Sequence, residues 1–269
     1  MADNHEEKFR YIDLSKVNKI SSIIIAKDEE ENIERCIKSQ LGCIDDIVVI
    51  VDNSTTDSTY EIASSYSQVN CIKADWRGYA LTKQNGVKNA RNDWVIWIDA
   101  DEELTDELVE ELNSMKGKEV EHAAFQVARR AFFLGKWIKY SGWYPGYVTR
   151  FFNKNFAKFD DKNVHEGLDV NGKISKLKHD LNHYTDPTIR HYFNKFNRYT
   201  SLAAEELHKQ GRKTKISDLL IRPFFIFIKM YFLKRGFLDG LHGFILAIFS
   251  SAYVFTKYTK LWELNKVSK

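Results

Sequence analysis

Two carboxylates separated by one small residue, Asp99-Ala100-Asp101, end an uninterrupted apolar run from Trp94 to Ile98. Carboxylates this close repel each other unless a cation lies between them, and an oxygen-only ligand pair suits Mg²⁺ or Mn²⁺. The same side chains would also cap a helix predicted to begin near Leu104 or Thr105. Spacing alone leaves both readings open. Comparable polar clusters close three earlier apolar runs. Ile20–Ala26 leads into Lys27-Asp28-Glu29-Glu30, Ile47–Val51 into Asp52-Asn53-Ser54, and Val69–Ala74 into Asp75. Carboxylates at such ends can accept from uracil N3–H or ribose hydroxyls while a metal bridges a diphosphate. Later in the chain Glu166 follows His165 on a predicted loop, as a general base would, or it simply pairs with an arginine or lysine. His183 ends a predicted strand, either as a ligand or as an ordinary hydrogen-bonded histidine.

The elements that must position these groups follow from periodicity. Short apolar runs rich in β-branched and aromatic residues read as strands buried on both faces. Between them lie helical patterns: Ile33, Cys36, Ile37 and Leu41 on one face, then a helix through Ile62 and Tyr66, then one around Leu81 to Ala90. Four strand–helix alternations in about 100 residues predict a parallel, doubly wound sheet, whose carboxyl edge binds ligands. There is no G-x-G-x-x-G after the first strand and no G-x-x-x-x-G-K-[ST]. A dinucleotide fold and a P-loop are therefore disfavoured.

From Ala123 the pattern changes. Antiparallel strands are predicted over 124–133 and 147–153, joined by a long aromatic connection, Leu134 to Gly146, of the kind used as a binding loop or lid. A hairpin is predicted at Asn171-Gly172. Asp186-Pro187 reads as an N-cap with Pro at the first position of a helix running to about Gln210.

With 269 residues, 43% of them hydrophobic, the chain can bury one large domain plus an appendage. The net charge of +3 is unevenly spread: Leu207–Lys269 holds 12 Lys+Arg against 3 Asp+Glu, the remainder 28 against 34. A basic tail on an acidic body points to a polyanionic partner. The tail also carries long aromatic and aliphatic runs such as Pro223–Ile228, too greasy for a solvated nucleic-acid groove. These runs suit a bilayer interface with snorkelling Lys and Arg, the alternative being a helix pair buried in an oligomer or under the main domain. No segment of about 20 residues is free of charge, so no spanning helix is expected. The charged start, Met1–Arg10, does not read as a secretory signal. Three cysteines without a C-x-x-C pair read as reduced thiols.

Together the motifs resemble those of family 2 glycosyltransferases of the GT-A fold, and within them the lipopolysaccharide inner-core β-1,4-glucosyltransferases. The residues that carry the likeness are Ile23–Ile33, Val51–Thr59, Trp97–Glu102 and Val164-His165-Glu166. Supporting matches are Gly142–Pro145, Arg150-Phe151-Phe152, Asn197–Thr200 and Lys257–Glu263. Departures are Ser54, where a glycine is common, and Gly146, where an aspartate is common.

The resemblance implies a single Rossmann-like α/β domain with a mixed sheet over 1–210, followed by C-terminal amphipathic helices, 211–269, that associate with membrane. It implies an inverting, metal-dependent transfer of a hexose, glucose from UDP-glucose, to a lipopolysaccharide-core or other lipid-linked saccharide. Asp52 would read the uracil, with Ala26 and Glu30 near base and ribose. Asp99 would touch ribose or metal, and Asp101 would ligate Mg²⁺ or Mn²⁺. His183 would be a further metal ligand or a diphosphate contact. Lys83, Arg129, Arg130 and Arg150 would hold phosphates, and Glu166 would be the general base. The expected partners are a nucleotide-sugar donor, a saccharide or glycolipid acceptor and an anionic membrane surface, with no nucleic acid and oligomerisation left open. The expected location is cytoplasmic, peripheral on the inner face of the cytoplasmic membrane. Two other readings share the first three motifs: a polyprenyl-phosphate glycosyl synthase and a non-catalytic nucleotide-sugar-binding protein.

Overall fold

The apolar runs become strands because both of their faces are covered. A computed structural model describes residues 15–159 and 167–267. In chain order the first elements are β1 (Ser15–Lys16), β2 (Ile20–Ala26), α1 (Ile33–Lys38), β3 (Asp46–Asp52), α2 (Thr59–Ser64), β4 (Val69–Ala74), α3 (Tyr79–Asn89) and β5 (Trp94–Asp99). Next come β6 (Glu102–Leu104), α4 (Asp106–Met115), β7 (Glu119–Val120), β8 (Ala124–Phe133), β9 (Lys136–Trp137), β10 (Gly146–Asn153), β11 (Ala157–Phe159), β12 (Leu168–Val170) and β13 (Ile174–Asp186). The chain ends in α5 (Ile189–Lys209), α6 (Ile216–Ile228) and α7 (Leu241–Val267). A π-helical turn (Lys229–Leu233) and a 3₁₀ turn (Gly236–Asp239) join the last two.

The residues fall into two compact units, Met1–Ala128 with Tyr147–Leu181, and Arg129–Gly146 with Asn182–Lys269. In the first unit β2 shows why the sheet needs helices on both sides. Ile20, Ile24 and Ala26 pack with Ile33, Ile37, Ala63 and Leu108 of α1, α2 and α4. Ile23 and Ile25 pack on the opposite face, with Val87 of α3.

The sheet order is β4-β3-β2-β5-β10-β8-β13-β6, with β9 paired to β8. β2, β3, β4 and β5 pair in parallel, whereas β10 lies antiparallel to β5. The sheet is therefore mixed, the crossover helices being confined to the part before Ala90. Strands β8 and β13 run on from the first unit into the second.

Three local expectations are corrected. The helix after β5 is capped by Thr105, whose Oγ1 accepts from Leu108 N–H; Asp99 and Asp101 do not cap it, because β6 intervenes. Thr188, not Asp186, caps α5: β13 continues through Asp186, and the Thr188 hydroxyl accepts from His191 N–H at 3.1 Å. The turn at Asn171-Gly172 does not close a β12–β13 hairpin among the described residues. β12 pairs antiparallel with β11 instead, and Asn171 N–H donates to Phe156 O.

In the second unit Phe133, Ile138 and Leu246 form one core, with Tyr192 and Phe249 edge-on to Phe133. A second core joins α5, α6 and α7 through Ala204, Leu219, Tyr258 and Leu261.

Candidate active site

Parallel pairing brings the acidic strand ends to one edge of the first unit. Ala26 lies opposite Val51, Ile25 opposite Asp99, and Asp52 opposite Ala74. The turns that follow these strands are tied to each other. Asp28, held at φ 52°, accepts from Thr56 N–H at 2.8 Å. Glu30 Oε2 accepts from Ser58 N–H, while Glu30 N–H donates to Asp57. Asn53 donates to Asp75 at 2.7 Å. These bonds hold the 27–32 and 53–59 turns in one arrangement and place Glu30 at the start of α2.

Asp52 is buried at the end of β3. Its Oδ1 accepts from the backbone N–H of Ser54 at 2.9 Å and from the Ser54 hydroxyl, and its Oδ2 lies 3.5 Å from Lys27 Nζ. The Ser54 N–H holds this carboxyl below the usual aspartate range; burial opposes the shift and the Ser54 hydroxyl and Lys27 reinforce it.

The end of β5 is organised by an arginine from β10. Arg150 is 1% exposed and its Nη2 donates to Asp99 Oδ2 at 2.7 Å and to Glu102 Oε1. Glu102, completely buried, also accepts from Asp99 N–H at 2.9 Å. The guanidinium lies 3.3 Å from the centroid of the Trp97 ring, and Lys83 Nζ lies 3.7 Å from the same centroid. Trp97 is held in turn by its Nε1–H, which donates to Thr149 O at 2.8 Å. Lys83 Nζ is 3.8 Å from Asp99 Oδ1. Burial opposes the charge on Arg150, but Glu102 and Asp99 outweigh it and hold its pKa above the ordinary guanidinium value. Beneath the strand end, Cys36 Sγ–H donates to Asp99 O. Burial pushes this thiol well up, with Glu102, Asp101 and Asp99 acting the same way, so it is an inert packing thiol.

Asp101 is half-buried in the turn between β5 and β6. Ala26, Glu30, Asp52, Lys83, Asp99, Asp101 and Arg150 thus all belong to the first unit. Arg129 and His183, both half-buried on β8 and β13, belong to the second. Glu166 and His165 lie outside the described residues. Among the described residues there is no group of three or more His, Cys, Asp and Glu that could hold a metal ion. Sequence reasoning gave no role to Glu102 or to the ring of Trp97. Their adjacency to Asp-x-Asp was visible, but their partner, Arg150, is 48 residues from Glu102.

A strand-end acidic edge with a laced turn over each strand can be compared with known families. The model of glycosyl transferase family 2 matches residues 21–172, more than half of the chain. The chain belongs to glycosyl transferase family 2. An uncharacterized glycosyltransferase of Rickettsia prowazekii is 32% identical over 94% of this chain and 90% of its own. The lipopolysaccharide core biosynthesis glycosyltransferase LpsC of Rhizobium meliloti is 29% identical over 91% of this chain and 92% of its own. Among solved structures, the mannosyltransferase PcManGT from Pyrobaculum calidifontis, in complex with GDP-Man and Mn²⁺, aligns with a TM-score of 0.54. It is 13% identical and covers 93% of this chain and 91% of that one, a likeness of fold alone. The fold is the GT-A glycosyltransferase fold, and the family 2 protein described here is a glycosyltransferase.

Proposed function

We propose that this glycosyltransferase moves glucose from UDP-glucose, with inversion, to a hydroxyl of a lipopolysaccharide-core or other lipid-linked saccharide. It would do so with a divalent metal, at the inner face of the cytoplasmic membrane. The observation that carries the donor half is the register itself, which puts Ala26, Asp52 and Asp99 on one sheet edge. The relation to LpsC supports the acceptor class.

Asp52 is built to read a base. Ser54 fixes its Oδ1, and its ionised Oδ2 can accept the N3–H of uracil. Ala26 ends β2 opposite Val51, next to Asp52, where a small side chain would suit a base, and Glu30, which accepts from Ser58 N–H, stiffens the turn that would face the ribose. Lys83 and Arg150 supply positive charge beside Asp99, which leaves its partly exposed carboxylate fixed for the ribose or the metal.

The donor set fits Mg²⁺ or Mn²⁺, hard cations commonly held by one or two carboxylates plus substrate phosphates, so Asp101 with help from Asp99 suffices. Bound there, the ion would act as a Lewis acid on the departing diphosphate. His183 is a further ligand or a diphosphate contact, and Arg129 a phosphate contact. Glu166 takes the proton of the attacking acceptor hydroxyl. The new bond forms on the sugar face opposite the departing UDP, and no covalent enzyme intermediate is needed.

Calorimetry with UDP-, GDP- and ADP-sugars, with and without Mn²⁺ or Mg²⁺, tests the donor reading. UDP-glucose is expected to bind at least about tenfold more tightly than the others, and more tightly with metal. Preferential binding of a GDP- or ADP-sugar would overturn the base assignment.

A further inference from the structure

The helices α6 and α7 form an antiparallel hairpin. Ser251 of α7 donates to Pro223 O, and Thr214 donates to Tyr258 O. Its outer surface is unusual for a water-facing one. Leu220, Ile221 and Phe224 on α6, and Leu233, Leu238 and Leu241 around the apex, are each between 51% and 68% exposed. Spacings of three and four residues put the α6 members on one stripe. Continuous apolar exposure on this scale marks an interaction surface.

The charge pattern says which. Between Lys213 and Lys260 the only acidic residues are Asp218 and Asp239, and both are buried. Asp218 is taken up by Arg212 and Arg222. Lys213, Lys215, Lys229, Lys234 and Arg235 are exposed. Over 213–260 the surface offers apolar area and positive charge with no exposed acid; the exposed Glu263 lies beyond it, near the end of α7. A second copy of the same face would set like charges together, whereas an anionic bilayer answers both features. Among the described residues no helix is long and apolar enough to cross a membrane, and a seat in the interface does not require one.

The apex also holds a loop. Asp239 Oδ1 accepts from Lys139 N–H at 3.2 Å, and its Oδ2 accepts from Tyr140 N–H at 3.0 Å and from Ser141 Oγ–H. Lys136 Nζ donates to Asp239 O at 2.8 Å, and Ser141 N–H donates to Lys234 O at 3.0 Å. Gly236 makes the close seat possible: a Cβ there would stand 2.7 Å from both Met230 O and Ser141 Oγ. A buried carboxylate that collects two backbone amides of one loop fixes that loop to its own element.

We propose that the α6–α7 hairpin seats in one leaflet of an anionic bilayer, and that Asp239 clamps the 136–141 loop to the seated apex, so that membrane docking sets the loop's position. That the protein works at a bilayer belongs to the function proposed above; the clamping of the 136–141 loop by Asp239 does not rest on it.

The test uses the full chain with phosphatidylglycerol vesicles and with phosphatidylcholine vesicles. The protein is expected to float with the former and not the latter. Leu220→Glu with Phe224→Glu, at two exposed positions that the fold does not need, is expected to lower that binding by at least about tenfold. Exchange at the Lys139 and Tyr140 amides is expected to slow by about tenfold when vesicles are added. In Asp239→Asn the flotation is retained and the slowing is lost. Equal flotation of the double variant would overturn the docking surface, as would a stable dimer in light scattering that the same substitutions disperse. Amide exchange in the wild-type protein indifferent to vesicles would overturn the clamp. None of these readouts requires turnover, so failure of the glucosyl-transfer reading is scored separately.

Discussion

Replacing Arg150 by Met tests whether the end of β5 is held electrostatically. Methionine keeps much of the length but removes the charge and the planar face stacked on Trp97. Glu102, with no exposed surface, would then be a buried carboxylate without its cation. Breaking a buried pair by removing one partner costs about 3–5 kcal/mol, and a desolvated cation–π contact about 2 kcal/mol. Asp99 is one-third exposed on its side chain, so its share is screened by water and adds little. The two add to about 5–7 kcal/mol, and a loss near about 5 kcal/mol is expected because methionine keeps part of the packing, a large part of the roughly 5–15 kcal/mol available to a folded protein.

Urea denaturation followed by tryptophan fluorescence measures it. Adding Glu102→Gln to Arg150→Met is expected to restore about 2 kcal/mol, because the uncompensated charge is gone. Arg150→Lys alone is expected to recover only part, since an ammonium can meet both carboxylates, as the single Nη2 does, but cannot lay a planar cation over the Trp97 ring. A loss below about 1 kcal/mol for Arg150→Met, or no relief from Glu102→Gln, would refute the reasoning.

Asp101→Asn is expected to leave the urea midpoint near wild type and to lower kcat by about 10²-fold or more with Mn²⁺ saturating; full turnover would remove Asp101 from the metal site. Glu166→Gln is expected to abolish transfer to a saccharide hydroxyl while UDP-sugar affinity in calorimetry stays unchanged. Retained transfer to a polyprenyl phosphate, an acceptor already ionised, would favour the phosphate-acceptor reading. The Asp52 carboxyl is depressed in the folded state, so the stability it contributes is present above the ordinary aspartate range and is lost as pH falls through the lowered folded value. The stability difference between wild type and Asp52→Asn, from urea melts, is expected to be flat above about pH 5 and to shrink toward about pH 3.

How far the chain could be read before its tertiary structure depends on the range of the interactions involved. The strands Ile20–Ala26 and Trp94–Asp99 declare themselves locally, because strands buried on both faces are dominated by apolar residues, Ser21 and Ser22 being the buried polar exceptions in the first. Parallel pairing then obliges their acidic ends, Asp52 and Asp99 among them, to share an edge. The apolar, basic character of 213–260 is likewise a matter of composition.

Partner choice was not legible. That Thr105 rather than Asp99 caps α4, and that β12 joins β11, follows from where the chain turns in space, not from residue type. The pairing of Arg150 with Glu102 and Asp99, and of Asp239 with the 139–141 backbone, spans between 48 and 100 residues. Periodicity records which face a residue occupies, but a buried charge finds its counter-charge only where folding brings two distant segments together. The acidic edge was therefore set by the amino-acid sequence itself. The arginine that holds Asp99, and the carboxylate that holds the aromatic loop, were decided by tertiary structure, since nothing local can neutralise a charge that the fold has taken out of water.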